Sequence, residues 1–186
     1  MALQQTPESF DRTWQAPDFQ NLKATDGKSY ALSDIQKPNG FLVMFICNHC
    51  PYVKGIVDRL PDIMKELQKM GVGVIAINSN DAETYPEDGF EPMKSFAKYN
   101  SFTFPYAIDE TQNVAKAYGA ICTPDFFGFN GQGKLQYRGR LDSSGMNPAT
   151  SETMNELLEA FKEIVLYGEG PAKQTPSMGC SIKWKT

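Results

Sequence analysis

Apolar positions divide the chain into short unbroken runs and longer stripes with helical spacing. FLVMFI at 41–46 and VGVIAI at 72–77 are continuous apolar runs, the pattern of central strands covered on both faces. Between them Val53, Ile56, Val57, Leu60, Met64 and Leu67 recur every three or four residues and predict a helix. Pro51 suits its first position, where a missing N–H costs nothing. Pro61 lies inside the stripe and predicts a kink or break just before it; Gly71 closes the element. Residues 78–92 are polar, with two prolines and a glycine, and predict a surface loop. A helix is expected over 93–99, a strand over 104–109, and a helix over 110–119 that ends at Gly119, a good C-terminal cap. Phe126, Phe127 and Phe129 predict a strand, turned at Asn130 and Gly131 towards KLQYRGRL. Met154, Leu157, Leu158, Phe161, Ile164 and Val165 form the stripe of a last long helix. Ahead of all this, residues 17–35 read as an irregular start and a small hairpin turning at Asp26 and Gly27.

The order strand, helix, strand, helix, strand, helix, hairpin, helix is that of an α/β fold, a central sheet with helices on both faces. Residues 1–166 form one expected domain. In the tail, 167–186, Cys180, Ile182 and Trp184 alternate with Ser181, Lys183 and Lys185. An extended tail with that pattern can lay one face on the body, so docking is expected.

Composition narrows the function. The chain has 186 residues, 41% hydrophobic and 22% charged, which suits a globular domain rather than a disordered one. The net charge is -4 and the cations are scattered, so nucleic-acid binding is not expected. No stretch approaches the roughly 20 apolar residues of a membrane helix. The start lacks a basic segment followed by an apolar run, so no signal peptide is read and the expected location is cytoplasmic. Four cysteines are too few for a secreted disulfide scaffold, and a close pair in a reducing compartment reads as redox or metal chemistry.

The close pair is Cys47 and Cys50, in CNHCP, between a buried strand and a helix. A helix start carries unpaired N–H groups and a positive dipole end. A thiolate there is stabilised, so Cys50 is the candidate nucleophile. Cys47, three residues earlier, is close enough for a small-ring disulfide. His49, the one histidine, would as a cation lower the Cys50 pKa and could pass a proton to a leaving thiolate. Cys122 and Cys180 read either as buried small hydrophobes or as further thiols of the site. A zinc site from Cys47, His49, Cys50 and Cys122 is the rival, but a structural zinc site usually has a second close pair and adjacent His49 and Cys50 fit one ion poorly. No metal and no organic cofactor are therefore expected. The acidic stretch Asn80, Asp81, Glu83, Glu87 and Asp88 reads as a solvated connection.

The motif FLVMFICNHCPYVK, with APDFQNLKATDGKSYALSDI before it and DETQNVAKAYGAICTPDFFGFNGQGKLQYRGRLD after it, resembles the thioredoxin-like superfamily. Within that superfamily it is similar to the alkyl hydroperoxide reductase and thiol-specific antioxidant branch. The resemblance covers about residues 15–166 and implies a thioredoxin-like fold. On the thioredoxin pattern Cys50 takes the attacking position and Val53 the usual second cysteine, so Cys47 would resolve from the loop side. Thr123 and Pro124 resemble the element in which a proline, usually cis, faces the attacking cysteine. That would bring Cys122 near Cys50 as an alternative resolving thiol, with Tyr52 and Thr123 lining the groove. On the peroxiredoxin pattern Cys50 is the peroxidatic cysteine, but Met44, Cys47 and Pro124 stand where proline, threonine and arginine are usual. Arg138 or Arg140 would have to substitute for the arginine. The implied function is thiol–disulfide exchange by Cys50 with Cys47, or Cys122, as resolving thiol; the alternatives are a thiol-dependent peroxidase and, behind it, a zinc-binding or non-catalytic thioredoxin-fold module. The partners would be a protein disulfide or a peroxide, with an external thiol reductant, and the chain a monomer or homodimer.

Overall fold

A computed structural model describes residues 2–186. In chain order the strands are β1 (Leu3–Gln5), β2 (Leu22–Lys23), β3 (Ser29–Tyr30), β4 (Phe41–Phe45), β5 (Gly73–Asn78), β6 (Tyr106–Ile108), β7 (Cys122–Thr123), β8 (Asp125–Phe129), β9 (Leu135–Tyr137) and β10 (Met178–Ser181). The helices are α1 (Leu32–Ile35), α2 (Pro51–Lys54), α3 (Leu60–Lys69), α4 (Phe90–Tyr99), α5 (Asn113–Tyr118) and α6 (Glu156–Tyr167). The main sheet runs β6-β5-β4-β8-β9. Strands β4, β5 and β6 pair in parallel, and β8 and β9 are added antiparallel on the other side of β4, so the sheet is mixed. The fold is α/β with a thioredoxin-like architecture.

The unbroken apolar run of β4 is explained by its two neighbours in depth. Alternate residues of a strand face opposite ways. Leu42 and Met44 enter a core with Leu60, Met64 and Leu67 of α3, Met93 of α4, and Leu157 and Phe161 of α6. Phe41, Val43 and Phe45 enter a second core with Leu32 and Ile35 of α1 and Ala115 and Tyr118 of α5. Both faces exclude water, so neither needs polar residues.

The stripe from 53 to 67 is two helices, not one. α2 is a single turn, and the chain turns through 55–59 before α3 starts with Pro61 in its first turn. Continuing the helix through Pro61 would set its ring against the carbonyl four residues earlier. The 78–92 stretch departs further from expectation. It holds a 3-10 turn over Pro86–Asp88 and the start of α4, and Asn78, Ser79, Asn80, Asp81 and Asp88 are buried. The acidic stretch is therefore a solvated connection only at Glu83 and Glu87: Asn80, Asp81 and Asp88 are buried where it folds back over the C-terminal ends of β4 and β5.

The tail adds a second sheet, β1-β10-β7, antiparallel throughout. Beyond β10, Lys183 is bracketed by the body. Its amide donates to Asn80 Oδ1 at 2.9 Å, and its carbonyl accepts from Gln112 Nε2 at 2.8 Å. Cys180 and Ile182 are buried, but Trp184 is 40% exposed, with Lys116 Nζ 5.8 Å above its ring. Among the described residues no helix is long and apolar enough to cross a membrane.

Candidate active site

The site lies where the chain leaves β4. Cys50 caps α2 from an extended backbone (φ -66, ψ 125), with Pro51 as the first helical residue. Its carbonyl accepts from Val53 and Lys54. The expected helix start is present, but α2 has one turn, so a long helix dipole is not what sets the acidity of Cys50. Neighbouring sulfurs and amides do. The Cys50 thiol is lowered first by a hydrogen bond from the Cys47 side chain, then by the Cys180 side chain and amide and the Val53 amide, against the opposing effect of burial. Cys47 moves the opposite way: it is raised first by that same bond to Cys50, then by burial and the Asp88 charge. One proton shared between two sulfurs favours Cys50 as thiolate and Cys47 as its donor.

Thr123 and Pro124 face this pair across the molecule, joined by a cis peptide bond. In its protonated form Cys50 donates to the Thr123 carbonyl at 3.2 Å, a bond the thiolate gives up for the proton of Cys47, and Cys47 Sγ lies 3.3 Å from Thr123 Oγ1. Cys122 projects differently. Adjacent residues of β7 alternate sides, and its thiol is turned to the Pro124 carbonyl at 3.5 Å. Burial pushes the Cys122 thiol up. A cleft of about 490 Å³, walled by Tyr52, Ile56, Pro124, Phe126, Met146 and Met178, adjoins α2 and Pro124, and none of the four thiols lines it.

The residue that sequence reasoning missed is Asp88. It is fully buried and anchors the loop between the two cysteines. Its carboxylate accepts from the Asn48 amide at 2.8 Å and from Asn80 Nδ2 at 2.8 Å, and lies 2.5 Å from His49 Nδ1. Asn48 is further fixed by Tyr106, whose hydroxyl donates to its Oδ1 at 2.9 Å. The His49 ring is thus directed at Asp88, and it stacks on Tyr85 with centroids 5.6 Å apart. No local signal marks Asp88: it sits in a polar stretch and meets Asn48 from 40 positions away.

The metal-type donors that come together are Cys47, His49 and Asp88, within 4.8 Å of one another, rather than the four-residue set drawn from the sequence. Asp88 already accepts three hydrogen bonds, so the cluster reads as an anchor for the loop. Neither arginine considered for peroxide binding is free. Arg138 pairs with buried Asp125 at 3.1 Å, and Arg140 with Glu156 at 2.5 Å.

The AhpC/TSA family profile matches residues 13–138. A solved structure of an uncharacterized conserved protein from Geobacillus kaustophilus is 44% identical, with TM-score 0.91, over 100% of this chain and 97% of that one. A hypothetical protein from Sinorhizobium meliloti 1021 is 35% identical, with TM-score 0.90, over 98% of each chain. Among curated proteins, the thiol-disulfide oxidoreductase ResA of Bacillus thuringiensis subsp. konkukian is 26% identical over 121 residues. That match covers 65% of this chain, and the chain spans 65% of that relative's length. The cytoplasmic expectation is corrected by a further likeness. A secreted Mycobacterium tuberculosis disulfide oxidoreductase shares the fold at TM-score 0.54 and 15% identity, over 63% of this chain and 80% of that one. Few cysteines exclude a disulfide scaffold, but a redox pair on this fold also works outside a reducing compartment, so cysteine count does not place the chain in the cytoplasm.

Proposed function

This chain belongs to the AhpC/TSA family of thioredoxin-fold proteins, and from that premise we propose that it is a thiol–disulfide oxidoreductase acting on disulfides of protein partners. The observation that carries the reading is the placement of Cys50 at the start of α2 with Cys47 in the same loop, both sulfurs against Thr123; in keeping with it, Cys50 is lowered and Cys47 raised, each chiefly by the other. A nucleophile and a proton-holding second thiol are what exchange requires. Cys50 attacks a partner sulfur as thiolate and a mixed disulfide forms. A second thiol of the chain then attacks Cys50 and releases the partner; Cys47 is the nearest in sequence, while Cys122 is turned away to the Pro124 carbonyl. Thr123 and Pro124 position the sulfurs, and His49, held by Asp88, keeps the loop in register. An external thiol reductant then returns the protein to the dithiol state, and no organic cofactor enters.

Peroxide reduction is the weaker reading, because a peroxidase needs a cation at the sulfur to polarise the O–O bond and both candidate arginines are paired elsewhere. The test is a direct competition. Fully reduced, metal-free protein is mixed rapidly with hydrogen peroxide, and separately with oxidised glutathione. Exchange is expected to exceed the rate of a free thiolate of ordinary pKa, while the peroxide rate does not. The opposite ranking, with Cys50 mapped as the oxidised residue, would move the function to peroxidase.

A further inference from the structure

Cys50 is fully buried, so the element that covers it governs what reaches it, and that element is β10. The strand packs on α2 and pairs antiparallel with β7, placing Cys180 directly opposite Thr123 and Ser181 opposite Cys122. Opposed residues of an antiparallel pair project on the same face. The Cys180 side chain therefore shares the face on which Thr123 Oγ1 meets Cys47, while Cys122 lies on the other. Cys47, Cys50 and Cys180 belong to one packed core, and burial and the neighbouring Cys50 push the Cys180 thiol up to about 11.

We propose that Cys180 is the thiol that resolves Cys50, and that the Cys50–Cys180 disulfide fastens β10 over the site. This rests on the thiol–disulfide reading above and assigns its second sulfur. The Cys50 thiolate attacks the partner disulfide; one partner sulfur leaves and takes a proton. Cys180, deprotonated, then attacks the Cys50 sulfur. The bond between Cys50 and the partner breaks, the Cys50–Cys180 bond forms, and the second partner sulfur leaves with the proton Cys180 gave up. Two electrons pass from the Cys50 and Cys180 thiols to the partner disulfide. Cys47 is the poorer attacker, because it is the more deeply buried of the two thiols and is held against Thr123 Oγ1 at 3.3 Å, whereas Cys180 sits on the covering strand. Cys180 rides on the covering strand, so it leaves with the cover when a partner enters and returns with it.

The three cysteines concerned fall on two tryptic peptides. Trypsin leaves Cys47 and Cys50 together in peptide 29–54 and Cys180 in peptide 174–183. Fully reduced wild-type chain is oxidised with oxidised glutathione, blocked with N-ethylmaleimide, digested without reductant and mapped by mass. The expected product joins the two peptides through Cys50, leaves Cys47 blocked, and comes from material that runs as a monomer on a non-reducing gel. Peptide 29–54 closed on itself, with Cys180 blocked, would overturn the assignment while leaving thiol–disulfide exchange intact. All cysteines blocked, with no disulfide formed, would overturn the exchange reading together with it. The variant Cys47→Ser is expected to form the same cross-link, and its failure to do so in a folded protein counts against Cys180.

Discussion

Replacing Asp88 by alanine tests whether a distant carboxylate holds the cysteine loop in place. The change removes the acceptor of the Asn48 amide, Asn80 Nδ2 and His49, while the Asp88 carbonyl keeps its bond from Asn78 Nδ2. Asn48 and Asn80 are both buried, so two donors lose their partner without gaining water. Each costs about 1–3 kcal/mol. His49 loses its partner as well. These contributions overlap, and the expected loss is about 3–5 kcal/mol. Asp88→Asn keeps the volume and one acceptor but points an amide at donors, so about 2–3 kcal/mol is expected. Urea unfolding followed by far-ultraviolet circular dichroism, with reductant present, reads both. The Asp88 charge also helps raise the Cys47 thiol, after the Cys50 bond and burial, so Asp88→Ala should bring the Cys47 pKa down. A loss below about 1 kcal/mol with an unchanged Cys47 titration would refute the anchoring role, since a satisfied buried carboxylate cannot be removed at that cost.

Two further outcomes follow from the same geometry. Cys50 sits below the ordinary thiol range in the folded chain, so its iodoacetamide alkylation should hold its rate as pH falls through about 8.5, whatever the absolute rate that burial allows; a midpoint at that ordinary value would contradict the shared-proton account. The sign for stability is that of a depressed acid: the contribution is full above the unfolded pKa and lost as pH falls towards the folded one, so the unfolding free energy of wild type relative to Cys50→Ser should decline from pH 9 to pH 5. Gly179→Ala probes the cover: a Cβ there would stand 3.0 Å from Pro124 N and 2.5 Å from Thr123 C, and closer still to the Thr123 carbonyl oxygen. Overpacking of that kind costs about 1–3 kcal/mol, and the lifted β10 should speed both trypsin cleavage of the tail and alkylation of Cys50; unchanged rates for both would show that β10 does not gate the thiol.

Much of this protein is legible in its order of residues because the informative signals are local. Two unbroken apolar runs mark β4 and β5, since a strand covered on both faces needs no polar side. Pro61 marks the break between α2 and α3, since its ring excludes a continuous helix. CNHCP after a buried run marks the close cysteine pair and the start of α2, since Cys50 stands at the N-cap with Pro51 first in the turn. What the chain alone could not show are the meetings between distant segments. Asp88 looks solvated in a polar stretch, and becomes a buried anchor because the parallel ends of β4 and β5 bring it to Asn48 and His49. Cys180 looks like one residue of an alternating tail. Only the register of β10 on β7 sets it on the side of Cys50 rather than that of Cys122, and a shift of one residue would reverse the choice. Pattern along a chain reports which face a residue takes within its own element; which element that face meets depends on packing of the whole, and the side of β7 on which Cys180 lies is decided there.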